Sequence, residues 1–224
     1  WAMIFNESVK NDSNPVDKTE KFMFDGERLI QHIIKQRYFE EEISNEVNLS
    51  YSDNQVTVTT DYPTLVYTLN SEGYASQCVY SLSSQNRIYQ FSYSAEGYLT
   101  GIVENIDNTE YSSTSLTYEN GDITSISSKM NGLENKFIYE PGEESSTYHL
   151  PCLGLLEIHP LTFHIEALYA GLLGKDPRHF TIRSCPAGSN DEKTVYSYGF
   201  DKKGNPSRMI CQTTYAGGQA SYYP

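Results

Sequence analysis

The residues best equipped for chemistry fall in one stretch, HLPCLGLLEIHPLTFH, residues 149 to 164, which gathers His149, Cys152, His159 and His164 around Glu157, with Glu166 two residues further on. Imidazole and thiolate are zinc ligands, and a neighbouring carboxylate can serve as a further ligand or as a base. The intervals of two, six and four residues between these side chains match no common zinc pattern. His159 and His164 are five apart, which puts them off a shared helical face. The expectation is no metal, with hydrogen-bonded core histidines beside a buried thiol and the HLPC text forming a bend.

Other candidates are weaker. GLLGKD, residues 171 to 176, has two residues between its glycines and Asp176 after the lysine. A phosphate loop needs four residues there and Ser or Thr after Lys. The stretch reads instead as a helix end, with Gly174 in a left-handed conformation and Lys175 at the negative end of the dipole. No G-x-S-x-G elbow occurs, and no Ser or Cys stands beside a His in a nucleophile setting. Glu40, Glu41 and Glu42, and the pair Glu143 and Glu144, read as solvated surface. A glycosidase would need two carboxylates that only the fold brings together. The expectation is a protein that is not an enzyme and needs no cofactor.

Charge narrows the partners. With 16 basic and 29 acidic residues the chain carries −13, against what a backbone-driven nucleic-acid binder or a ligand of anionic membrane surfaces requires. No apolar run approaches the ~20 residues of a spanning helix. Cys78, Cys152, Cys185 and Cys211 are widely spaced without a CxxC; an even number permits two disulfides in three connectivities, and buried thiols serve as well.

The elements that would position these residues come from repetition. In FSYSAEGYLTGI, residues 91 to 102, Phe91 and Tyr93 alternate onto one face of a strand, Gly97 supplies the positive φ of a short hairpin loop, and an apolar run returns. The same grammar recurs at Phe22–Phe24, Leu49–Tyr51, Tyr67–Leu69, Leu116–Tyr118, Phe137–Tyr139 (before Pro141 and Gly142) and Tyr198–Phe200. Gly73, Gly97 and Gly121 stand 24 residues apart. The 19 tyrosines favour strands. The chain therefore reads as a mostly β, long antiparallel meander of about a dozen strands, strongly curved or closed into a barrel because open sheets seldom exceed about ten.

One segment breaks the rhythm. Pro160 suits a helix start, and Leu161 to Leu173 is apolar nearly all round, which predicts one buried helix over 161–173 with the sheet wrapped about it. A lipid-facing barrel would give that helix a polar lumen, so the water-facing version is expected. The organisation is a single domain over 1–224, with meander 20–140, helical insertion 143–175 and closing strands 178–215.

Phe22-Met-Phe24-Asp25-Gly26-Glu27-Arg28-Leu29 and Tyr198-Gly-Phe200-Asp201-Lys-Lys-Gly204 resemble the tyrosine–aspartate hairpin repeats of large bacterial shell-forming proteins. The whole chain, meander plus late helix, resembles an uncharacterised family of exported proteins from gut-commensal bacteria, a domain of unknown function with a porin-like fold. That resemblance implies a cell-envelope, periplasmic or surface location, often through a lipid anchor, with the signal peptide outside this chain, which begins at Trp1; it brings no catalytic residue.

The functional expectation is a non-enzymatic, exported binding or scaffold module meeting a glycan or a surface protein. Tyr74 and Tyr98, just after turn glycines, and Tyr215, Tyr222 and Tyr223 near the end are the candidates for an exposed aromatic platform. The alternative is a half-barrel carrier that holds an apolar ligand such as lipid between sheet and helix.

Overall fold

The computed structural model describes residues 1–9, 16–38, 41–60, 64–82, 85–145, 152–189, 191–204, 206–215 and 220–223. Strands β1 (Ala2–Val9), β2 (Val16–Asp25), β3 (Arg28–Tyr38), β4 (Glu41–Ser52), β5 (Gln55–Thr59), β6 (Thr64–Leu69), β7 (Ala75–Leu82) and β8 (Gln85–Tyr93) make its first half. The second half holds β9 (Leu99–Ile106), β10 (Thr109–Glu119), β11 (Asp122–Met130), β12 (Leu133–Ser145), β13 (His179–Pro186), β14 (Lys193–Phe200), β15 (Pro206–Thr214) and β16 (Ala220–Tyr223). They form one 16-stranded sheet in sequence order, each strand antiparallel to the next. Edge strands β1 and β16 approach one another, but no ladder joins them among the described residues, so the sheet is curled rather than closed.

The meander is longer than the expected dozen: β2 to β15 span the repeat units, and β1 and β16 lie outside them. A second correction concerns Pro141 and Gly142. They do not turn the chain; β12 runs on to Ser145 through two register shifts, which absorb the proline that cannot donate to the ladder. The other repeat units all end in hairpins. Asn70, Ser94 and Asp201 each accept, at the backbone carbonyl, from the glycine three residues on, and Gly73, Gly97 and Gly204 have φ of 85°, 91° and 82°. Only glycine takes that conformation at no steric cost.

Because strands alternate, each hairpin turns one set of side chains inward. Val47, Leu49, Tyr89, Phe91 and Leu116 are buried, whereas Asn48, Ser50, Gln90, Ser92, Ser115 and Thr117, their neighbours in sequence, are exposed. An outer face of this kind is polar, the reverse of a lipid-facing barrel. No helix among the described residues is long and apolar enough to cross a membrane.

Inside the curl lies the segment between β12 and β13. The expected helix over 161–173 is much shorter: 3-10 turns at Leu153–Glu157 and Leu161–His164 lead into a single α-helix, α1 (Ile165–Tyr169). Gly171, not Gly174, closes it. The Leu172 N–H donates to Ala167 O and the Gly171 N–H to Leu168 O, the paired bonds of a Schellman motif, with Gly171 at φ 69°. Lys175 is therefore well past the helix end. The expectation of burial holds: Leu155, Leu161, Ala167, Leu168, Tyr169, Leu172 and Leu173 join the sheet's inner face in one core. This plug touches the wall from β1, where Phe5 meets Tyr169, to β13, where Thr181 meets Cys152.

Beyond Gly171 the chain crosses one rim of the sheet, where the hairpins of the repeats turn. The Ala75 N–H donates to Leu172 O, the Lys175 N–H to Gly97 O, and the Arg178 N–H to Gly121 O. Three residues on the plug thus answer 24 or so on the meander. The match is geometric: two strand spacings make roughly 9.6 Å, and three extended residues cover about 10 Å.

Candidate functional site

Three of the five tyrosines expected to form an aromatic platform have described side chains. Tyr74 and Tyr98 are half-buried on the stitched rim, Tyr74 against Tyr93 (centroids 5.3 Å) and Tyr98 stacked on Tyr118 (4.9 Å). Each lies over the next unit's turn. A Cβ on Gly97 would stand 3.2 Å from the Tyr74 ring, and one on Gly121 2.6 Å from the Tyr98 hydroxyl. Tyr215 is exposed, and the side chains of Tyr222 and Tyr223 on β16 lie outside the described residues. Of the carboxylate runs, Glu41, Glu42, Glu143 and Glu144 are exposed and Glu40 lies outside the described residues.

The histidine-rich stretch does not gather. His149 is outside the described residues. Cys152 Sγ is 3.1 Å from Thr181 Oγ1, and burial pushes its thiol pKa up. His164, wholly buried, has Nδ1 2.6 Å from the Tyr67 hydroxyl and rings of Tyr89 and Phe91 edge-on around it. Burial drives its pKa down to about 3 and raises that of Tyr67, so the bond joins a neutral imidazole and a neutral phenol. The opposite nitrogen, Nε2, is left buried without a partner. Cys78, beside Tyr67, has its thiol pushed up to about 12 by burial. Among the described residues no group of three or more ligating side chains converges on a metal position.

Two ionised clusters stand where the plug meets the sheet's other end, the mouth opposite the stitched rim. In the first, His32 on β3 has Nδ1 2.8 Å from Glu166 Oε1 on α1, and Nε2 3.5 Å from Glu20 on β2, which pairs with Lys18 at 3.0 Å. The Glu20 contact is longer than a hydrogen bond, so Glu166 is the principal partner. Burial by itself would lower the His32 pKa; the two carboxylates outweigh it and hold the pKa above the ordinary value. Phe22 stacks between His32 (4.0 Å) and Tyr169 (3.9 Å), which seats the plug on the wall.

The second cluster is built around Glu104 on β9, which is 0% exposed. Its Oε1 takes Arg87 Nη1 at 3.0 Å and the Tyr89 hydroxyl at 3.2 Å, and its Oε2 takes the Ser112 hydroxyl at 2.9 Å. His159 Nε2 lies 3.4 Å away. Arg87 sits 5.8 Å from the Tyr111 ring centroid and 5.9 Å from that of Phe163, and Tyr80 and His159 meet Phe163 at steep angles. Phe163 remains 36% exposed. A carboxylate so enclosed and so fully engaged orients its neighbours.

Sequence reasoning passed over Arg87, Glu104, Tyr111 and Ser112. A signal was present, since Arg87 shares parity with the buried Tyr89 and Phe91, and Glu104 with Ile102. The space beside α1 lined by Leu99, Tyr118, Leu168 and Leu173 amounts to about 20 Å³, room for one water. A carrier of apolar ligands needs several hundred Å³, on the order of 300 or more.

An antiparallel meander curled round a segment of its own chain, polar outside and filled within, is a porin-like β architecture with a plugged interior. The chain belongs to the family described as a domain of unknown function (DUF4595) with porin-like fold, whose model matches residues 22–208. It is similar to a porin-like protein from Bacteroides uniformis ATCC 8492, with 26% identity and a TM-score of 0.91 over 99% of this chain and 93% of that one. A porin-like protein from Bacteroides vulgatus ATCC 8482 shares the fold, at 10% identity and a TM-score of 0.61 over 97% and 95% of the two chains. No curated protein matches the chain. The likeness of the hairpins at 22–29 and 198–204 to tyrosine–aspartate repeats is one of sequence pattern alone.

Proposed function

We propose that the chain is a non-enzymatic, exported module of the cell envelope that binds a partner at the mouth opposite the stitched rim. One observation carries this reading. Rings from three separated parts of the chain, Tyr80, Tyr111, and the pair His159 and Phe163, are held about Arg87, and Phe163 is left part-exposed although it belongs to the buried plug. Aromatic faces that ligands can reach bind with little loss of side-chain entropy, which suits recognition of a glycan or of a surface protein. The buried state of Glu104, His164 and Cys152 argues against their use as catalysts. Similar proteins from two Bacteroides species support placement in the envelope, and the polar outer face suits a water-facing module rather than a pore.

The test presents the purified chain to a glycan array and, immobilised, to envelope extracts. Binding in either that is weakened by Phe163→Ala supports the reading. Blank results in both overturn it. Cell fractionation checks location: recovery of the protein with the cytoplasm contradicts export.

A further inference from the structure

Among the described residues the wall of the curl is joined by the fewest ladder pairs where β13 meets β14. Each strand is eight residues long, yet they share only two pairs, Arg183 with Val195 and Ser184 with Thr194. We propose that β14, β15 and β16 form a hinged gate in the wall, a three-stranded flap that opens at this junction and uncovers the flank of the plug around Cys152.

Three observations combine. The first is the missing ladder. In register with the two pairs, His179, Phe180, Thr181 and Ile182 would lie opposite Gly199, Tyr198, Ser197 and Tyr196, and none of them pairs. By contrast β14 is laddered to β15 along its whole length, and β16 to β15 along its own, so the three strands hold one another better than they hold the sheet. The second is what fills the space. Side chains stand in for the backbone: the Tyr198 hydroxyl donates to Thr181 O at 2.8 Å, the Tyr196 and Ser184 hydroxyls lie 3.2 Å apart, and Phe180 stacks on Tyr198 with centroids 4.7 Å apart. A junction held by a few such contacts can part locally, whereas a full ladder opens only with its neighbours. The third is the lining. Ile182 is 42% and Phe200 37% exposed, so both lips of the junction already present apolar surface. Behind them Cys152 is buried against Thr181, Sγ to Oγ1 at 3.1 Å. Burial and then this thiol push the Tyr198 pKa up, which puts Cys152 beside the inner face of the flap. An open gate would bare Phe180, Tyr196 and Tyr198 as an aromatic surface and leave the mouth undisturbed.

The experiment labels the full chain with iodoacetamide under native conditions and reads each free cysteine by peptide mass spectrometry. Cys78 is the internal control, for it is also buried but stands in a strand laddered on both sides, to Tyr67 and to Tyr89. Cys152 is expected to react ~10-fold or more faster than Cys78, and with a weaker dependence on denaturant, since its exposure needs only local opening. Tyr198→Phe removes the bond to Thr181 O and should speed Cys152 a few-fold while leaving Cys78 unchanged. Hydrogen exchange on the same protein checks the unit: the amides of β14 and β15 should open together and more readily than those of β6 to β8. Equal rates at Cys152 and Cys78, with the same denaturant dependence, overturn the gate, because the sheet then opens only as a whole. A faster Cys152 that ignores Tyr198→Phe, with β14 and β15 amides as protected as those of β6 to β8, also overturns it, because the thiol is then reached by movement of the plug and not of the wall.

Discussion

The two ends of the curled sheet are closed by different physics. At the stitched rim, short turns and a crossing strap are tied together by backbone hydrogen bonds at Ala75, Gly97 and Gly121, with Tyr74 and Tyr98 laid over the following turns. At the mouth, side chains do the joining: Glu166 to His32, and Arg87, Tyr89, Ser112 and His159 about Glu104. Backbone ties repeat because strand spacing repeats. Side-chain ties follow no period, and they leave rings and ionised groups at partial exposure. On the proposed reading a partner meets the second kind of surface, since a rim whose hydrogen bonds are spent internally has little to offer a ligand.

The plug that both ends share is the most sensitive point of this comparison. Tyr169→Ala removes the ring stacked on Phe22 and leaves a hole under α1; a loss of about 3–5 kcal/mol is expected in denaturant unfolding. Less than 1 kcal/mol would show that the plug is not seated by that stack.

At the stitched rim, Gly174→Ala is expected to cost roughly 2–3 kcal/mol, because Gly174 has φ 88° and a Cβ there would stand 2.6 Å from the Gly97 carbonyl oxygen. Gly132→Ala is the control, with positive φ of 78° but open space about it, and should cost only the backbone strain, about 1–2 kcal/mol. Equal losses in the two variants would mean that the strap does not bear on the turn.

The mouth should reveal itself through pH. His32 has a raised folded pKa, so its contribution is fully present below the unfolded value of about 6.5 and fades as pH rises through the higher folded value. His164 has the opposite sign. Its folded pKa of about 3 means that stability is lost as pH falls below about 6.5, where the unfolded chain binds the proton that the folded core refuses. Melting temperature against pH should therefore lose its alkaline-side decline in His32→Gln while keeping the acid-side one. An unchanged profile would remove His32 from the mouth's charge balance.

Smallest is the loss of one rim bond. Tyr93 donates its hydroxyl to Ala75 O at 2.6 Å, as Tyr51 does to Leu29 O and Tyr198 to Thr181 O, a clamp by which a strand-end tyrosine holds an earlier strand's backbone. Tyr93→Phe should cost about 1 kcal/mol. Phe163→Ala, at the mouth, should also cost little stability, and the contrast between that and its effect on ligand binding sharpens the division of labour.

The rim was largely legible in the sequence and the mouth was not. Gly73, Gly97 and Gly121 announce themselves by identity and spacing, because a positive φ leaves few residues to choose from. Pro141 and Gly142 carried the same signal falsely: β12 shifts register there and continues, a choice made by its pairing with β13. The helix was foreseen by its apolar run, but its end was placed at Gly174 when Gly171 ends it, since both glycines have positive φ and only the hydrogen bonds tell them apart. Glu104 and Arg87 were in plain view as inward-parity charges, yet parity does not say that two strands and a distant turn will converge on them.

By itself the sequence determined the hairpins, the inward and outward faces, and the burial of the segment around 161–173, for these depend on local turn chemistry and on alternation along the chain. Tertiary structure alone decided that the plug's exit runs along the rim in step with every second strand, that Tyr74 and Tyr98 lie half-buried over the following turns, and that Arg87, Glu104, Tyr111, His159 and Phe163 share one mouth. Those outcomes depend on how far a 16-stranded sheet curls about its contents. That curvature is set by all the strands together and by the volume they enclose, and no local stretch of residues encodes it.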